Sequence, residues 1–180
     1  MECSPILRPE LAWLTSWSLI GERKCASRNR PTRPSAAAVA EAETEADAPA
    51  AVLDASALLA HLNDEEGASE VRMAMKAGAA ISVANWIEVL SKLAERGEDP
   101  GVAAAEMRGA ELVGQVIAIE PITDDDCIAI ARMRPRTKAQ GLSLADRACL
   151  VLAERLGVPA LTTDGEWAKA KVKTEVQKIR

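Results

Sequence analysis

Four carboxylates fall where short apolar runs give way to helical patterns: Asp54 after "AVL", Glu88 after "ISVAN", Asp146 after "GLS" and Asp164 after "ALTT". Oxygen-only ligands of this kind select hard divalent cations, Mg²⁺ or Mn²⁺. Brought together without a cation they would repel, by about 3 kcal/mol per ionised pair at ~5 Å and an effective dielectric near 20. Either they do not converge, or a divalent cation sits among them. Asp54 raises the question most sharply, because "AVLDASALLA" is otherwise small and apolar. Burying an unpaired carboxylate costs several kcal/mol. Asp54 must have a partner, and the expectation is a metal ion.

Other chemistries find little support. His61 is the only histidine, and no GxSxG accompanies it. Cys3, Cys25, Cys127 and Cys149 contain no CxxC pair, and no second His completes a zinc site. Cys127 and Cys149 lie in apolar, helix-like segments and read as small core residues, and a reducing cytoplasm suits all four. The net charge of −5 announces no broad basic surface. A local patch exists in "ARMRPRTKAQG", where Arg132, Arg134, Arg136 and Lys138 read as a basic loop. That loop could contact phosphates or be merely solvated. With no Phe or Tyr, only Trp86 and Trp167 near the acids could stack a base, and their phase favours the core. His61 reads as a surface helix residue.

The elements that would position the acids begin near residue 50. Residues 1–49 combine the apolar "LAWLTSWSLI" with an Ala/Glu-rich linker and read as a disordered extension. The apolar run is too short to span a bilayer. As an export signal it is flanked by Glu2 and Glu10, with no convincing cleavage site nearby. Residues 50–180 form one domain-sized stretch. Strands are expected at "AAVLD", 79–84, 115–122 and "VPALTTD", with "EVQKI" as an edge strand. Helices are expected over 55–63, 65–77, 86–96, 100–113, 123–133 and 143–156, and a short one after Asp164. Strands alternating with helices point to a parallel sheet covered on both faces, whose sites form beyond the carboxyl ends of the strands.

Helix capping explains the same acids without any chemistry. Asn85–Glu88 and Ser143–Asp146 both have capping-box spacing, and Asp54 and Asp164 could be N-caps. Helical phase separates the two cases. Asp146 shares an inner stripe with Cys149, Leu150 and Ala153, while Arg147 and Glu154 share the outer one. Glu88 lies with Ser91, Lys92 and Glu95, opposite Trp86, Val89, Leu90 and Leu93, so phase alone would expose it. The triple acid Asp124–Asp126 after Thr123 suits a helix N-terminus.

The segments "VLDASALLA", "ISVANWIEVLSKL", "GLSLADRACLVLAERLGVPALTTDGEWAK" and "VQKIR" together resemble the PIN-domain proteins, specifically the VapC-like toxins of bacterial toxin–antitoxin pairs. The likeness covers nearly all of 50–180, and "SLADRACLVLAERLGVPALTTDGEW" is its most specific block. It implies a PIN-like α/β/α sandwich with a central, mostly parallel sheet flanked by helices. It implies a cytoplasmic Mg²⁺- or Mn²⁺-dependent endoribonuclease, a homodimer inhibited by a cognate antitoxin. By position, Asp54, Glu88, Asp146 and Asp164 match the family's acidic quartet, and Ser56 and Thr162 its hydroxyls near the metal. The resemblance thus includes Glu88, which periodicity does not. The extension 1–49 departs from the family, whose members begin just before the first strand.

Three other readings stay open. A PIN nuclease could serve RNA processing, which a neighbouring antitoxin gene would argue against. A non-catalytic PIN-fold module should have lost acids, and all four are present. A phospho-receiver domain wants an adjacent acidic pair after its first strand and a late Lys, and "LDAS" and "TTDG" supply neither.

Overall fold

The computed structural model describes residues 48–180, which form one compact unit, Ala48–Arg180. The expected extension 1–49 lies, but for its last two residues, outside the described residues. Five strands, β1 (Ala51–Leu53), β2 (Ala79–Ser82), β3 (Ile117–Glu120), β4 (Ala160–Thr162) and β5 (Val176–Lys178), form one sheet in the order β3-β2-β1-β4-β5. Every pairing is parallel, so the expectation of a mostly parallel sheet becomes an entirely parallel one.

Parallel neighbours need crossovers, and six helices supply them: α1 (Ala55–Leu62), α2 (Ala68–Lys76), α3 (Val83–Glu95), α4 (Pro100–Gly109), α5 (Asp124–Thr137) and α6 (Leu144–Leu156). A 3-10 turn follows at Gly165–Lys169. Alternate strand residues serve opposite faces. Val52, Ala80 and Ala160 join a core with Ile130, Met133, Leu150 and Trp167 beneath α5 and α6. Ala51, Leu53, Ile81 and Leu161 are equally buried. α1 and α2 pack on these strands as well. Strands buried on both sides explain why the sequence shows short continuous apolar runs rather than alternation.

Several boundaries differ from the sequence expectation. α3 starts at Val83, three residues early, because Ser82 ends β2 and its hydroxyl accepts from Asn85 N. The presumed capping box at Asn85–Glu88 therefore does not exist. α5 runs to Thr137 through Pro135, so Arg132, Arg134 and Arg136 stand on a helix, and Lys138 follows as its C-cap. Proline is tolerated there because it sits in the last turn, where a single backbone bond is forgone. α4 ends at Gly109, and a turn separates it from the shortened β3.

The caps expected at Thr123 and Gly157 are present. Thr123 and Asp126 form a capping box on α5, and Arg155 of α6 bonds Pro121 O at 3.3 Å and lies 3.6 Å from Asp126. Gly157 closes α6 in the left-handed region that favours glycine. Gly67 has a tighter constraint. With φ +91, a Cβ there would meet Ile179 O at 2.7 Å, so the C-terminal segment docks against bare backbone. Arg180 pairs with Glu65 in the same region. Among the described residues, no helix is long and apolar enough to cross a membrane.

Candidate active site

The strand order reverses between β1 and β4, whose neighbours β2 and β5 lead off in opposite directions. Crevices at the carboxyl ends of such strands are where ligands bind in open parallel sheets. Asp54 stands at this point, directly after β1 and 4% exposed.

Asp54 is not without partners. Its Oδ2 accepts from Ser56 Oγ at 2.6 Å, from Thr162 Oγ1 at 3.0 Å and, more distantly, from Ser56 N at 3.4 Å. Its Oδ1 accepts from Asn85 Nδ2 at 2.9 Å. Each hydroxyl has one proton, and both are committed to Asp54. Their lone pairs then receive Thr163 N (to Ser56) and Asp164 N (to Thr162), both at 3.1 Å. The Asn85 amide is oriented too, because its Oδ1 accepts from Ser82 Oγ. A network running from β2 through α3 and α1 to β4 thus fixes one carboxylate. Besides the metal ion expected as its partner, Asp54 thus has hydrogen-bond donors in Ser56, Thr162 and Asn85.

Burial still raises the Asp54 pKa, opposed by the Ser56 hydrogen bond and reinforced by the charge of Asp146. Glu88 behaves alike, raised first by burial and then by Asp54 and Asp146. It is half-buried, not solvent-facing as its helical phase suggests. The later start of the helix pattern in the sequence reading placed it in a first turn, whereas it stands in the second turn of α3. Beneath them Cys149 is buried, and desolvation with the same two acids pushes its thiol up. Three acids therefore share one electrostatic neighbourhood: Asp54, Glu88 and Asp146.

Asp146 does two things at once. Its Oδ2 accepts Ser143 N at 2.6 Å and closes a capping box on α6, while its field reaches Asp54 and Glu88. The contrast drawn from phase between a cap and an inward acid fails, because one side chain is both. Asp164 behaves otherwise. It follows Thr162 but turns its Oδ1 to Glu166 N at 2.8 Å, capping the 3-10 turn.

Oxygen-only donors that share one electrostatic neighbourhood are chemically suited to a hard cation. Asp54, Glu88 and Asp146 meet that description. As they stand they are not gathered around one point, since no group of three or more His, Cys, Asp or Glu among the described residues is close enough to hold a metal. Mutual repulsion is the physical reason to expect such spreading.

Trp167 is completely buried and Trp86 nearly so, as their phase favours, which leaves neither as a stacking platform. Other expectations are revised by burial. Cys127 is exposed on α5 rather than in the core. His61 is half-buried, its Nδ1 has no hydrogen-bond partner among the described residues, and burial with nearby Arg72 lowers its pKa to about 4. Arg147, expected on the outer stripe of α6, is buried and donates to Leu142 O.

Asn85 is the site residue that sequence reasoning misassigned. The signal was present: Ser82 stands three residues before Asn85, the spacing of an N-cap and the amide it receives. Reading Val83 as strand concealed it.

The PIN domain family matches residues 51–173. Comparison with curated protein sequences gives no match. Solved structures do match. DNA-bound VapBC from Salmonella typhimurium superposes with TM-score 0.55 at 16% identity, covering 72% of this chain and 98% of its own. VapC20 from Mycobacterium tuberculosis, a toxin that cleaves the sarcin-ricin loop, gives 0.54 at 20%, covering 68% and 95%. A toxin–antitoxin complex from Klebsiella pneumoniae gives 0.52 at 19%, covering 72% and 98%. At these identities the likeness is one of fold.

Proposed function

The chain belongs to the PIN domain family, and from that membership we propose that it is a divalent-metal-dependent endoribonuclease, the toxin of a toxin–antitoxin pair held in check by a cognate antitoxin. The observation that carries the reading is Asp54, a buried carboxylate held at the β1/β4 switch point within the field of Glu88 and Asp146. Support for the toxin role comes from the similar folds of the Salmonella, Mycobacterium and Klebsiella proteins.

Mg²⁺ or Mn²⁺ would be held by Asp54, Glu88 and Asp146, with Asp164 reaching it after leaving its cap or through water. Bound there, the ion would supply an activated water and charge neutralisation for phosphodiester hydrolysis. The chain's own part is orientation. Ser56, Thr162 and Asn85 keep Asp54 in one rotamer, and the N-termini of α1, α3 and α6 favour negative charge beside them. Thr162 also orients Asp164 through its backbone N–H. Arg132, Arg136 and Lys138, exposed at the end of α5, would contact RNA phosphates, with Arg134 beside them. The protein would work in the cytoplasm as a homodimer.

The test is cleavage of single-stranded RNA by the purified full chain with Mg²⁺ or Mn²⁺. Cleavage that stops with EDTA and returns with metal supports the proposal. RNA cleaved equally in EDTA, with metal shown absent, would remove the mechanism. Co-expression with the product of an adjacent small reading frame should abolish cleavage.

A further inference from the structure

Two guanidinium groups in this protein are set on one oxygen. Arg147 Nη1 donates to Leu142 O at 2.9 Å, and Arg134 Nη1 donates to the same oxygen at 3.3 Å. The two nitrogens therefore lie within about 6 Å, where like charges repel. Neither guanidinium is among the ion pairs of the described residues. Arg147 is 7% exposed, and its Nε is sealed from solvent with no acceptor. The acid whose charge it feels is its neighbour Asp146, whose Oδ2 is occupied by the cap on Ser143.

Bracing a carbonyl needs one guanidinium. A second adds repulsion, and the unpaired Nε–H adds a desolvation cost. An oxyanion beside the two groups would offset their repulsion, since guanidinium groups present forked donors matched to phosphate oxygens. The exposed Arg132, Arg136 and Lys138 continue the positive charge along α5.

We propose that Arg147 and Arg134 form an anion site that takes a backbone phosphate of single-stranded RNA beside Asp146. The assignment of the ligand rests on the nuclease reading. The site would fix the strand at the edge of the acidic cluster, one cationic step away from the carboxylates.

The experiment uses the full chain with EDTA present, so neither metal nor turnover enters. Inorganic phosphate is the first probe, followed by a short single-stranded RNA. Phosphate should raise the melting temperature of the wild type. Arg134→Ala and Arg147→Lys should each weaken phosphate binding about tenfold, and each should lower the salt slope of RNA binding by about 1. Wild-type affinity and salt slope in folded variants would overturn the proposal and leave the pair as a brace. Phosphate binding lost without any change in RNA binding would overturn the RNA assignment. Should Arg147→Lys fail to fold, the exposed Arg134 decides alone. Failure of cleavage in metal would count against the nuclease reading and not against this measurement.

Discussion

Asn85 Nδ2 donates to Asp54 Oδ1 at 2.9 Å, joining the first helical turn after β2 to the carboxylate that ends β1. That bond assigns the open lone pairs of the site. Oδ2 is crowded by Ser56 and Thr162, and Oδ1 carries one donor. Replacing Asn85 with Ala should therefore orphan a buried carboxylate oxygen and the Ser82 hydroxyl, destabilising the protein by about 1–3 kcal/mol. Replacing it with Asp should destabilise the metal-free protein more, and Mn²⁺ should recover part of that loss. Chemical denaturation with and without Mn²⁺ checks both, and equal stability of Asn85→Asp and wild type in EDTA would count against the crowding.

Asp146→Asn should abolish RNA cleavage and leave the unfolding free energy within about 1 kcal/mol of wild type. The amide oxygen can still accept Ser143 N, and removing one charge relieves Asp54 and Glu88. A large fall in melting temperature in EDTA would make the cap the residue's main role.

His61 sets an acid limit on stability. Its pKa falls from 6.5 to about 4 in the folded protein because burial and Arg72 disfavour the cation. A depressed folded pKa means that the unfolded chain takes up the proton first. The contribution is fully present above pH 6.5, shrinks as pH falls towards about 4, and then levels off. Discounted for its partial exposure it amounts to about 2 kcal/mol. Unfolding free energies of His61→Leu measured between these limits should be flatter by that amount, and an unchanged slope would dismiss the burial argument.

Gly67→Ala should cost about 2 kcal/mol or more, since it combines a positive φ with a collision against Ile179 O. The damage should concentrate at the C-terminus. Limited proteolysis should release residues beyond β4 in the variant earlier than in wild type.

The legibility of the sequence was uneven, and the reasons are physical. The three central strands were plainest, because runs such as "AAVLD" and "VPALTTD" must be apolar when buried on both sides. Boundaries were less so. Val83 is β-branched and reads as strand, yet Ser82 caps a helix that begins with it. Pro135 reads as a break, yet falls where only a terminal bond is lost. Charge was the poorest guide to exposure. Arg147 carries a full charge on a segment whose phase faces it outward, but the Leu142 carbonyl draws it in. Neither could periodicity tell that Asp146 both caps α6 and acts on its fellow acids, because one side chain serves both uses.

The strand order also has a temporal side. β1 lies between β2 and β4, so a chain emerging from the ribosome has one flank of its first strand open until residues 160–162 have been made. The Thr162 hydroxyl that completes the hold on Asp54 comes from a position 108 residues later. Contacts of such long range close slowly and late. Any chain stopped short of β4, whether by a stalled ribosome or a premature stop codon, lacks both that hydroxyl and the neighbouring strand. Such truncated products should be inert, and the site stays incomplete until about nine-tenths of the sequence has been made.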